Sequence, residues 1–408
     1  MAFNPFDEKG IPLEQQLRSW SELNVKPYDK NSVHPYTRCR IITLNGAEFE
    51  SQWFLHQFAR HTGDLETRRK LALARRMEQQ QQKAISALVP GDETTLEHTI
   101  GYEQVAVDLT AFLARTEPDE YAKSVLDFAL LEDFDHLYRY ANLMEMTEGT
   151  PAEKLVGDYT EVTIGRPTIA EHRHPFDEIR HHFDSRSADI LTKLHANIIV
   201  AAEQQTMNFY MNQANRSQEH LARGLYSEIA MIEEQHVTHY ESLIDPSMSW
   251  FERLVMHDYT ECYLYHSFME QEDDPRIKKM WEHHLDMEIG HLHADREMMK
   301  QQERRDPVEM LPKELPRPVF FQSNIDYVRD ILARQADYNA KGTEFVPADD
   351  IPEDYRYYDY QQAVNDHEGV PSQDVITRHI ERRRRDYRQE LRGEHPIERF
   401  REVEAVVR

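Results

Sequence analysis

Two motifs in the second half of the chain, Glu233-x-x-His236 and Glu288-x-x-His291, set a carboxylate and an imidazole three residues apart. On a helix that spacing lies on one face, so each pair can grip one metal ion. Two lone carboxylates alternate with them, Glu203 in AAEQQTMNFY and Glu261 in YTECYLYHSF. The separations 203 to 233, 233 to 261 and 261 to 288 are 30, 28 and 27 residues, about one helix, a turn and half the next helix. Antiparallel helices joined by short turns bring four such positions to one level. Four carboxylates and two imidazoles suit two iron ions, with manganese as the alternative, and do not select copper. The same carboxylates stand on apolar stripes, Glu203 among Ile199, Val200 and Tyr210, and Glu233 among Ile229, Ala230 and Tyr240. Carboxylates buried together repel one another and lose their hydration unless cations compensate.

Further residues border this set. His284 lies four before Glu288, giving His284-x-x-x-Glu288-x-x-His291 on one face, a candidate third imidazole. His257, four before Glu261, is a candidate ligand or hydrogen-bond donor. Tyr210, Tyr240 and Tyr265 share the helical register and can line the site as hydrogen-bond donors or radical positions. Glu171-His-Arg-His-Pro with His181 and His182 fits no closed zinc site and reads as a solvated linker. Arg382–Arg385 is interleaved with acids and reads as a source of salt bridges.

The elements that must carry these residues are helices. A first helical run, with breaks at 61–64, 90–92 and 117–119, covers about 46–143; a second, with breaks at 212–219, 245–249 and 272–275, covers about 187–303. The first run repeats the scheme of the second: Glu50 for Glu203, Glu78-x-x-Gln81 for Glu233-x-x-His236, Glu103 for Glu261, and Asp133-x-x-His136 for Glu288-x-x-His291. With a His turned to Gln and a Glu to Asp, this set reads as a structural bundle that has lost its metal, or else as a second, degenerate site that binds metal more weakly. The fold class expected is all-α: an irregular arm over 1–45, a degenerate bundle over 46–143, a linker over 144–186, a metal-bearing bundle over 187–303, and an extended tail over 304–408 with a terminal helix.

At these residues the chain resembles the ferritin-like superfamily, closest in pattern to rubrerythrin-like di-iron carboxylate proteins. The resemblance implies two tandem ferritin-like four-helix bundles and a site of Glu203, Glu233, His236, Glu261, Glu288 and His291. His284 makes the motif similar to the extra-histidine motif of p-aminobenzoate N-oxygenase-type enzymes. The implied activity is that of an oxidase or oxygenase activating O2 or peroxide; the alternatives are ferroxidase or iron handling, a rubrerythrin-like peroxidase, and a structural or regulatory metal protein. The implied partners are a small-molecule oxidant, an external electron donor and a second copy of the chain in a dimer.

Composition narrows the rest. The formal charge of −26 disfavours nucleic acid and anionic membranes. Two cysteines in 408 residues exclude a disulfide framework or a rubredoxin-type cluster, and with no signal pattern the expected compartment is the cytoplasm.

Overall fold

The computed structural model describes residues 3–365 and 369–402. This chain is mostly helical, with one antiparallel ribbon pairing Tyr338–Lys341 with Glu344–Pro347. Eight long helices dominate: α1 Pro35–His61, α2 Leu65–Ser86, α3 Thr95–Thr116, α4 Glu120–Glu148, α5 Ile190–Arg216, α6 His220–Glu241, α7 Trp250–Gln271 and α8 Pro275–Glu303. The breaks expected within both helical runs fall between these helices. Local chemistry explains their starts. Thr94 and Ser249 close capping boxes with Glu97 and Glu252, Asp119 and Asp274 each accept from two backbone N–H groups, and Pro35 and Pro275 occupy first turns.

The first helix starts at Pro35, so the irregular arm is shorter than 1–45. Every residue from Tyr36 to Leu44 is buried. A helix covered on all sides shows no apolar stripe, which hides its period.

Contacts divide the chain into two compact units that interleave along the sequence. The first is Met1–Asp92, His182–Ala202 and Ile244–Phe320; the second is Glu93–His181, Glu203–Leu243 and Phe321–Arg408. In the first unit α1 pairs with α2, α7 pairs with α8, and α7 packs on α1. Its core includes Phe54, Leu55, Phe58, Leu71, Met77, Leu254, Met287 and Leu13 from the arm. Each such side chain contributes roughly 1.5–3 kcal/mol by burial. In the second unit α3 pairs with α4, and α4 packs against α6. Tyr140, Tyr210 and Tyr226 pack there with ring centroids 5.0–5.6 Å apart.

The consecutive division into 46–143 and 187–303 is therefore corrected. The outer hairpins, α1–α2 and α7–α8, belong to one unit together with α5 up to Ala202, and α3, α4, α6 and the rest of α5 belong to the other. Short connections join α2 to α3 and α6 to α7, but buried faces choose the packing partner. The segment 144–186 is likewise no solvated linker: Arg166, Glu171, Arg173 and Glu178 are buried within the second unit. After α8 the chain forms helices Ile325–Gln335, Arg356–Val364 and Pro371–Arg383. The last stops where Arg384 turns left-handed, φ 66°, so no helix runs to the end of the described tail. Among the described residues no helix is long and apolar enough to cross a membrane.

Candidate metal centres

The second unit gathers Glu103 from α3, Asp133 and His136 from α4, Glu203 from α5, and Glu233 and His236 from α6, all buried. Two overlapping groups appear. In one, ligand atoms of Asp133, Glu203, Glu233 and His236 lie within 4.8 Å of one another; in the other, those of Glu103, His136 and Glu233 do. Glu233 belongs to both and could be shared by two ions if these groups held them. The Nδ1 of His236 lies 3.2 Å from Asp133 and 3.4 Å from Glu233, and the Nδ1 of His136 lies 3.1 Å from Glu233. Both rings turn the other nitrogen outward to a carboxylate: His236 Nε2 meets Glu132 at 2.9 Å and His136 Nε2 meets Glu171 at 2.9 Å. Such a backing carboxylate fixes the ring and raises its basicity. Glu132 is itself held by Arg166 and by a two-pronged contact from Arg173, which also grips Glu178. The hydroxyl of Tyr210 donates to Glu103.

The first unit gathers Glu48 from α1, Glu78 and Gln81 from α2, Glu261 from α7, and Glu288 and His291 from α8. Its groups are Glu78, Glu288 and His291; Glu48, Glu78 and Glu261; and Asp258, Glu261 and Glu288. His291 Nδ1 lies 2.7 Å from Glu78, while its Nε2 meets the Gln16 amide oxygen at 2.6 Å. Gln16 comes from the arm and donates to the carbonyls of Ile11 and Met287. The arm lies so close to α8 that a Cβ at Gly290 would collide with the Ile11 carbonyl. Gln81 stands where the second unit has His236, and its amide donates to Glu48 and Glu288.

The residues expected to form one site, Glu203, Glu233, His236, Glu261, Glu288 and His291, are thus divided. The first three join Glu103, Asp133 and His136; the last three join Glu48, Glu78 and Gln81. Glu50 belongs to neither centre: it is half-buried and pairs with His257 Nδ1 at 3.0 Å, which takes His257 out of the site as well. Two residues along a helix turn the side chain by about 200°, so Glu48 faces inward where Glu50 does not. The spacing 48 to 78 is 30 residues, the same as 203 to 233 and 103 to 133, and that equality marks Glu48 in the sequence.

His284 is also corrected as a third imidazole. Its Nδ1 meets the Tyr265 hydroxyl at 3.1 Å and its Nε2 meets Arg18 Nη1 at 3.1 Å, and it joins none of the metal-ligand groups. A guanidinium only donates, so Nε2 accepts, Nδ1–H points to Tyr265, and Tyr265 donates to Glu48. Burial and the nearby Arg18 hold this ring well below the usual imidazole range, hence neutral. The similarity to N-oxygenases loses its carrier residue. Tyr240 is fully buried beside His236, with ring centroids 6.4 Å apart and a hydroxyl lacking a hydrogen-bond partner.

The electrostatics test whether cations fit. Burial pushes Glu203 and Glu261 well above the usual carboxylate range, and neighbouring carboxylates add to it. Glu233 goes the other way, to about 2: burial opposes this, but His136 and His236 outweigh it. Burial would lower His136, His236 and His291, yet the acids around them raise all three well above the ordinary range. Without metal, protons on these rings supply the positive charge that each cluster demands. Both carboxylate oxygens of Glu261, Oε1 of Glu203 and Oε2 of Glu103 have no hydrogen-bond partner. Buried acceptors left unpaired in this way are what a cation satisfies. No protein-family model, no curated protein and no solved structure matches the chain. On its own geometry, then, this is a mostly helical protein with two buried acidic and histidine clusters compatible with di-metal centres.

Proposed function

We propose that the second unit is the reactive centre of a non-haem di-iron protein with a ferritin-like site, an oxidase or oxygenase that activates O2 or peroxide. The observation that carries this reading is Glu233, shared by two buried groups that each contain one carboxylate-backed imidazole. Four carboxylates, Glu103, Asp133, Glu203 and Glu233, match the charge of two divalent ions. Two iron ions bound there supply electrons to the oxidant. The chain's residues do the rest. Glu132 and Glu171 fix the two rings so that each Nδ1 faces inward. Tyr210 holds Glu103 in place through its hydroxyl, and the packed tyrosines Tyr140, Tyr210 and Tyr226 keep bulk water from the acids. With only Cys39 and Cys262, both buried, reducing equivalents come from an external donor.

The test is anaerobic loading of the full chain with iron(II), followed by exposure to O2 or peroxide. We expect rapid iron oxidation by wild-type protein, lost together with about two irons per chain in Glu233→Ala. Iron content and oxidant consumption both unchanged in that variant would sink the reading.

A further inference from the structure

We propose that the first unit carries a second metal centre, built mainly of oxygen ligands, which takes a larger share of manganese(II) than the second unit does when manganese(II) and iron(II) are both limiting. This goes beyond the reactivity of the second unit and does not depend on it. Acidic residues often crowd together without an ion, so Glu48, Glu78, Glu261 and Glu288 do not make a site by themselves. Two further observations point to a ligand: a buried carboxylate with neither oxygen partnered, and a buried amide whose oxygen is unpartnered although its nitrogen donates to Glu48 and Glu288. Glu261 is 2% exposed with neither carboxylate oxygen partnered, and Gln81 is fully buried with its Oε1 unpartnered. Buried polar atoms are almost always matched in a protein interior, so atoms left unmatched here call for a partner.

The choice of ion follows from ligand type. Of the three overlapping groups in this unit, only Glu78, Glu288 and His291 include an imidazole; both groups of the second unit include one. Asp258, one helical turn before Glu261 and buried against Asp295, adds another oxygen donor with no counterpart in the ligand groups of the second unit. Carboxylate and carbonyl oxygens suit manganese and magnesium, whereas each imidazole adds preference for iron. Magnesium holds on to several waters and is usually gripped by one or two carboxylates, so four converging carboxylates fit manganese better. Iron(II) outbinds manganese(II) at any site of this kind. What differs is the margin, and with both ions limiting, manganese settles where the margin is smaller. The amide backing of His291 by Gln16 narrows it further, because an amide raises imidazole basicity less than a carboxylate does.

The experiment reconstitutes the full chain anaerobically with equal, limiting manganese(II) and iron(II). Anomalous diffraction at the two metal edges then reads the occupancy of each cluster. We expect the manganese-to-iron ratio in the first unit to exceed that in the second by about tenfold, the scale on which groups around a metal shift affinity. Gln81→His restores the missing imidazole and should erase most of that difference. Glu261→Gln should empty the first unit while the second stays loaded. Equal ratios in wild type, or a first unit holding neither ion while the second is filled, would overturn the proposal. So would a Gln81→His protein with an unchanged ratio, and that protein decides the matter if Glu261→Gln fails to fold.

Discussion

In the second unit both imidazoles lean on carboxylates, Glu132 behind His236 and Glu171 behind His136. The ligand groups of the first unit hold one imidazole, His291, and it leans on the neutral amide of Gln16. The inner acids are otherwise alike: Glu203, Glu233, Glu103 and Asp133 correspond to Glu48, Glu78, Glu261 and Glu288. Each unit even spends one phenol on a terminal acid, Tyr210 on Glu103 and Tyr265 on Glu48, although these tyrosines stand at different places in their helices. The contrast lies in the ligand layer, where Gln81 replaces His236 and Asp258 is added, and again one layer out. A ring backed by negative charge stabilises an ion whose charge rises during turnover; a ring backed by an amide favours an ion whose charge stays fixed. The carboxylate Glu132 is tolerable inside the protein only because Arg166 and Arg173 hold it well below the usual range against the cost of burial.

The sharpest way to break this contrast is Glu132→Gln. Metal affinity of the second unit should fall about 10–100-fold while the first unit is unaffected, as read by competitive titration with a chelator. Equal losses in both units would mean that the backing group is not what separates them. The reciprocal change, Gln16→Glu, should raise iron affinity in the first unit, by less than about tenfold because no pair of arginines waits to neutralise the new charge. An unchanged or weakened iron affinity there would count against the same idea. The smallest effect concerns support further out. Glu178 is pulled down to about 2: burial opposes this, but Arg173 and His239 outweigh it. A depressed acid stabilises the fold above its unfolded pKa, near 4.5, and that contribution is lost as pH falls through about 2. Glu178→Gln should thus cost on the order of 3 kcal/mol at neutral pH, with the gap to wild type closing between pH 4.5 and 2 in denaturant titrations. A gap independent of pH would remove the charge argument.

Helix positions and nearly all of the acids and histidines that cluster were legible in the sequence, because caps, prolines and Glu-x-x-His spacings are local signals. The pairing of hairpins was not. A periodic stripe says that a face must be covered, not by which other face, and short connections suggested neighbours in sequence. Glu48 was displaced by Glu50 because Glu50-Ser-Gln resembles Glu203-Gln-Gln, and the turns buried from Tyr36 to Leu44 offer no stripe to set the register. Gln16, Glu132 and Glu171 touch the rings from an arm, a neighbouring helix position and a presumed linker. Glu132 shares no motif with His236, since it faces the far nitrogen of a ring on another helix.

The interleaved pairing also fixes an order of completion during synthesis. The second unit's ligands all lie between Glu103 and His236, so its inner set is in hand once α6 has been made. The first unit closes only when α8 arrives, 217 residues after the end of α2 at Ser86 and ending at Glu303. At roughly 5–20 residues per second that is a wait of about 10–40 s. Throughout it, hairpin α1–α2 holds Phe54, Phe58, Leu71 and Met77 without the partner helices that cover them in the finished fold. The N-terminal hairpin is thus the part of this chain with most to gain from a chaperone, and its acidic cluster is the last to be enclosed.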